Sequence, residues 1–117
     1  MIRRWRFYET TAGRCPVRQF LDTRSDVDAA AIAAAMKDVA IEGMSVSRHL
    51  RGDVYEVRVD GDRQSYRVLF AAEGAKGQIL LALEAFSKKS QRTPVPTIEV
   101  AERRLADWRA RGRARRG

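Results

Sequence analysis

Tyr55-Glu56-Val57-Arg58-Val59 and Ser65-Tyr66-Arg67-Val68-Leu69-Phe70 each alternate apolar with polar residues, and Asp60-Gly61-Asp62 lies between them. Alternation is the period of a strand, and a glycine flanked by aspartates is turn chemistry, so strands over Val54–Val59 and Gln64–Ala71 are predicted to form a hairpin. Tyr55, Val57 and Val59 then share an apolar face with Tyr66, Val68 and Phe70. Glu56, Arg58 and Arg67 must project from the other face. Gly74-Ala75-Lys76-Gly77 supplies the next turn, and Gln78–Phe86 follows as a third strand. Its core, Ile79-Leu80-Leu81-Ala82-Leu83, is apolar on both faces and belongs in the sheet centre.

Upstream, Arg4-Trp5-Arg6-Phe7-Tyr8 alternates as a further strand. Cys15-Pro16 opens a short helix whose Val17, Phe20 and Leu21 share one side. Ser25-Asp26-Val27-Asp28 reads as an N-cap with acids in the first turn, where they suit the helix dipole. The alanine-rich segment after it has strong helix propensity, with Ile32, Met36 and Val39 as its apolar stripe and Gly43 as its stop. These two helices are expected to form an antiparallel pair. Pro94 and Pro96 open the last helix, whose apolar stripe is Ile98, Ala101, Leu105 and Trp108. The order is therefore strand, two helices, three-strand antiparallel meander, C-terminal helix: a single small α+β domain.

The 117 residues carry 23 Lys+Arg against 15 Asp+Glu, a formal charge of +8, so the expected partners are acidic: nucleic acid, an acidic protein or anionic lipid. Five arginines and no acid fall in Arg109–Gly117, and setting them aside leaves 18 basic residues against 15 acidic ones. The expected division is thus a domain over 1–108 and a basic, flexible tail over 109–117. Cys15 is the sole cysteine, which excludes an internal disulfide and a Cys-rich zinc site and points to a reducing compartment. The arginine-rich N-terminus lacks the apolar core of a signal peptide, and Ala29–Met36 is too short to span a bilayer, so a cytoplasmic protein without membrane contact is expected. Nucleotide-binding loops, GxSxG and paired-histidine metal spacings are missing from the sequence. No cofactor or metal is expected.

A nuclease that uses the ribose 2′-hydroxyl as nucleophile needs cations on the phosphate and groups that move two protons. Arg58 and Arg67, on neighbouring strands and one face, suit the phosphate. Lys88 and Lys89 in Phe86-Ser87-Lys88-Lys89-Ser90-Gln91-Arg92-Thr93-Pro94 follow the third strand closely enough to join them. The bland alternative is an ion-pair ladder in which Glu56 and Glu84 neutralise the arginines. His49, the only histidine, lies in a loop and titrates in a useful range. Tyr55, Tyr66, Trp5 and Trp108 are core by spacing.

Leu50 to Arg58, Tyr66 to Phe70, Ala85 to Pro94 and Glu99 to Arg104, in that order, resemble the HigB-like branch of the RelE/ParE toxins, which includes phage-derived proteins. The resemblance implies a RelE/ParE-like fold and the toxin of a type II toxin–antitoxin system, a ribosome-dependent, metal-independent mRNA endoribonuclease. Its partners would be the ribosome, mRNA and a helix-turn-helix antitoxin. Arg67 falls on the arginine of the family's tyrosine-arginine strand, Arg58 on a basic position of the preceding strand, and Lys89 on the basic position after the last strand. These three are the expected catalytic residues, with Arg51, Lys88, Gln91 and Arg92 binding RNA. The stretch from Gln91 to Pro96 has no aromatic to serve as acid or base, which leaves Glu56 and His49 as candidates. The same fold would also carry a ParE-like gyrase inhibitor without nuclease activity, or a decayed or phage accessory protein that binds RNA or an antitoxin.

Overall fold

The computed structural model describes residues 2–89 and 91–116, so Met1, Ser90 of the basic stretch and Gly117 of the tail lie outside the described residues. Strand β1 (Arg4–Phe7) is followed by helices α1 (Pro16–Asp22) and α2 (Asp26–Glu42), then strands β2 (Arg48–Arg51), β3 (Val54–Asp60), β4 (Ser65–Glu73) and β5 (Ile79–Lys88), and helix α3 (Val95–Arg116). The sheet order is β1-β5-β4-β3-β2. β1 runs parallel to β5 and every other pair is antiparallel.

The α+β expectation holds, with four differences in detail. The meander has four strands: Arg48-His49-Leu50-Arg51 pairs with β3, although its single apolar residue gives no visible alternation. β5 lies inside the sheet, yet β4 is the middle strand. α1 packs on β5 and α2 on β3, so each helix finds the sheet rather than forming a close pair. Finally, α3 runs to Arg116, through the boundary expected at Trp108.

The hairpin register confirms the two-faced reading. Tyr55 lies opposite Phe70, Val57 opposite Val68 and Val59 opposite Tyr66, while Arg58 lies opposite Arg67. The first set joins Val17, Ile32, Met36 and Val39 in a core beneath α1 and α2. Ser25 Oγ caps α2 by accepting the Asp28 N–H, and Gly43 ends it at φ 84°. On the other face Val54, Leu69, Ala71, Leu81 and Leu83 pack against Ala101 and Leu105 of α3, with Trp108 beside them. Leu69 pairs with Glu84 but Phe70 with Ala82, so Leu83 is bulged. The extra residue shifts the alternation of β5 and brings Glu84, Phe86 and Lys88 onto the face of Arg67. Among the described residues no helix is long and apolar enough to cross a membrane, and no cluster of His, Cys, Asp and Glu suits a metal.

Candidate nucleic-acid interface

The sheet face that carries Arg58 and Arg67 is only partly covered by α3. Beside the helix's N-terminal turns it leaves an open cleft of about 430 Å³. Arg48, Arg51, Arg58 and Arg92 give it a cationic rim, and Leu50, Val95 and Ile98 form an apolar wall. Alternation explains the gathering: Arg48 lies opposite Glu56 on β2 and Arg58 opposite Arg67 on β4, so all four side chains leave one face.

Glu56 is the hub. Its carboxylate is buried and accepts from Arg58 Nε at 3.0 Å, Arg67 Nη1 at 3.4 Å and Thr93 Oγ1 at 2.5 Å. Arg67 is buried too, at 1% exposure. It donates to the Thr93 hydroxyl and, at 2.5 Å, to the Gln91 carbonyl, while its Nε–H has no acceptor among the described residues. Burial, then the neighbouring Arg58 and Arg48, push its guanidinium below the ordinary arginine range, against the pull of Glu56. The ion-pair ladder is therefore real for Glu56, whereas Glu84 pairs instead with Arg104 of α3 at 3.3 Å.

The two central arginines consequently have different reach. Both were expected to grip one phosphate, but Arg67 is sealed beneath Gln91–Thr93. The Arg58 side chain keeps 41% of its surface exposed at the cleft. Lys88 stands on the same face, opposite Ser65, and donates to Gln91 Oε1 at 3.3 Å. Partial burial, then Arg67 and Arg58, lower its ammonium pKa from the usual lysine value. Arg51 is held by Glu102 through two hydrogen bonds, 2.5 and 3.1 Å.

Two expected residues are elsewhere. Lys89 lies exposed beyond the end of β5 and is not in the cleft wall. His49 is on β2, opposite Tyr55 and therefore on the α2 side of the sheet. Its ring lies 5.0 Å from that of Tyr55, and its Nε2–H donates to the Gly52 carbonyl at 2.8 Å. The α2 side of the sheet is the side opposite the cleft. Conversely, Arg48, Thr93 and the apolar wall were not foreseen. Arg48 would have followed from recognising β2; the buried role of Thr93 has no local sequence signal.

The family described as phage-derived protein Gp49-like (DUF891) matches residues 19–106 of this chain, a span that includes every residue lining the cleft. Two relatives, each named probable endoribonuclease HigB1, come from Mycobacterium tuberculosis strains CDC 1551 / Oshkosh and ATCC 25618 / H37Rv. Each is 31% identical over 108 residues, which cover 90% of this chain and 84% of the relative.

Proposed function

Because the chain belongs to the phage-derived Gp49-like family and is a HigB-like toxin, we propose that it is an endoribonuclease that cuts mRNA on the ribosome, the toxic half of a type II toxin–antitoxin pair. The observation that carries this reading is the open cleft whose lining includes the half-exposed Arg58 side chain together with Arg48 and Arg92. A guanidinium fork matches two phosphate oxygens. Cations fixed around an anion site stabilise the extra charge that develops when phosphorus becomes five-coordinate.

In this reaction the ribose 2′-oxygen bonds to phosphorus as the bond to the 5′-oxygen breaks. The 2′ proton passes to a water in the open cleft, and a proton from Lys88 joins the departing 5′-oxygen. The products are a 2′,3′-cyclic phosphate and a 5′-hydroxyl. Arg58 holds the non-bridging oxygens, and Arg48 and Arg92 take flanking phosphates. Lys88, outside the lining residues but on the face of Arg67 and hydrogen-bonded to Gln91 of the cleft wall, is the donor for the 5′-oxygen. Arg67 and Thr93 act through Glu56, whose carboxylate aims Arg58 by its Nε and leaves the terminal nitrogens for phosphate. Arg51 is a positioning residue that ties β2 to α3. The apolar wall suits a base face beside the scissile phosphate.

The partners in this reading are the ribosome, its mRNA and an antitoxin with a helix-turn-helix domain, all in the cytoplasm. Inducing the chain without its antitoxin is expected to stop protein synthesis while chromosomal DNA stays intact, and Arg58→Ala to relieve the arrest. Double-strand DNA breaks with intact mRNA would instead assign the chain to gyrase inhibition.

A further inference from the structure

We propose that strand β1 and the C-terminal turns of α3 form a second RNA surface, which holds the phosphate backbone of a folded RNA while the cleft receives the strand to be cut. It depends on the reading above only for the choice of RNA as the polyanion. The surface includes the end of α3 and all of β1, which lie outside the residues 19–106 matched by the family.

Arg4 and Arg6 alternate with Trp5 and Phe7, whose rings enter the core beneath α1 and α2, so the two guanidinium groups leave on the α3 side. Arg4 lies opposite Ile79 in the parallel pairing of β1 with β5. Ile79 in turn borders a depression with Trp108, Arg109 and Arg113, and Arg6 borders the adjoining one with Trp108 and Arg111. The half-buried Trp108 indole thus separates two depressions rimmed by arginines. Gly112 lines both, with open space where a side chain would stand.

Most acids here are already committed, Glu9 beside Arg6 being the exception among the described residues. Glu73 and Asp53 hold Arg109, and Asp107 pairs with Arg111 at 2.8 Å while accepting the Tyr8 hydroxyl at 2.7 Å. Arg4, Arg6 and Arg113 make no ion pair among the described residues. Favourable placement at a helix C-terminus accounts for Arg111 and Arg113, but not for arginines on a strand. Protection of an exposed sheet edge accounts for Arg4 and Arg6, but not for the partly exposed Trp108 of α3 beside Arg6.

Arg6 and Arg113 beside the Trp108 indole, with Arg4 two residues from Arg6 on the same face of β1, fit phosphates and a stacked ribose or base. A protein partner would need a larger apolar centre than one indole edge supplies. Arg113 lies fifteen positions along the helix from Ile98 at the cleft, about 22 Å at 1.5 Å per residue, so the two surfaces hold different phosphates.

The test is anisotropy of a labelled RNA hairpin titrated with the purified chain over a salt series. Losing three phosphate contacts in Arg4→Gln/Arg6→Gln/Arg113→Gln should flatten the plot of log affinity against log salt by about 2–3. Arg113→Gln alone, at the exposed end of the helix, should flatten it by about 1 and serves if the triple variant does not fold. A wild-type slope and affinity in the variant that folds would overturn the proposal. So would poly-glutamate binding as tightly as the hairpin with the same sensitivity to the substitutions. The cleft is tested separately by mRNA cleavage in Arg58→Ala: unchanged cleavage there would sink the catalytic reading and leave the second surface standing.

Discussion

Arg58 and Arg67 face each other across two strands and share one carboxylate, yet they are predicted to respond oppositely to deletion. Arg67→Ala leaves Glu56 buried with its charge partly unmatched, a change that costs about 3–5 kcal/mol in comparable sites; urea denaturation should show it as a lower midpoint. Arg58→Ala should cost no more than about 1 kcal/mol of unfolding free energy, because its side chain is half exposed, while RNA cleavage falls about 10²–10³-fold. Thr93→Val keeps the shape but removes the hydroxyl that donates to Glu56 and accepts from Arg67. A loss of about 1–3 kcal/mol is expected, with Thr93→Ser restoring most of it. The shared face of Arg58 and Arg67 was legible in the sequence because alternation fixes which way each side chain points. The burial of Arg67 was not, because its cover comes from Gln91 and Thr93 in a segment without period. His49 misled for a related reason: with β2 unrecognised, nothing indicated which side of the sheet it would take.

At the scale of elements, Asp28 joins two parts that the sequence showed separately. It sits in the first turn of α2, accepts the Tyr66 hydroxyl from β4, and accepts the Asp62 N–H from the β3–β4 turn at 2.7 Å. The Tyr66 bond first, and the Asp62 bond second, hold its carboxyl below the ordinary aspartate range. A depressed pKa stabilises the fold fully above the unfolded value, near 3.9, and the gain disappears as pH falls through the folded value. Asp28→Asn should therefore lower Tm at pH 7, and its difference from wild type should shrink below about pH 4. A pH-independent difference would show that the carboxylate charge contributes nothing there. The cap by Ser25 and the acids of the first turn were readable; this long-range use of Asp28 was not. The alanine-rich helix, the hairpin and the stripe of α3 were readable because each buries a continuous face. The C-terminal turns of α3 read as a tail because their anchors, Glu73 and Asp53 on Arg109, lie far back in the chain.

Across the whole molecule, the sheet separates two cores, and α3 covers one face incompletely. The cleft beside the start of α3 and the arginines around Trp108 near its end give the excess positive charge two addresses. That layout is expected to make binding to RNA steeply salt-dependent, with both surfaces contributing. Cleavage should persist in EDTA, since arginines and a lysine carry the charge and the proton in the proposed reaction. The most direct measurement is primer extension on a reporter mRNA incubated with the purified chain, with and without translating ribosomes, beside Arg58→Ala. Cuts that appear with ribosomes and disappear in the folded Arg58→Ala protein are the predicted result. Intact mRNA in every tube, or cuts that survive the substitution, would contradict the account.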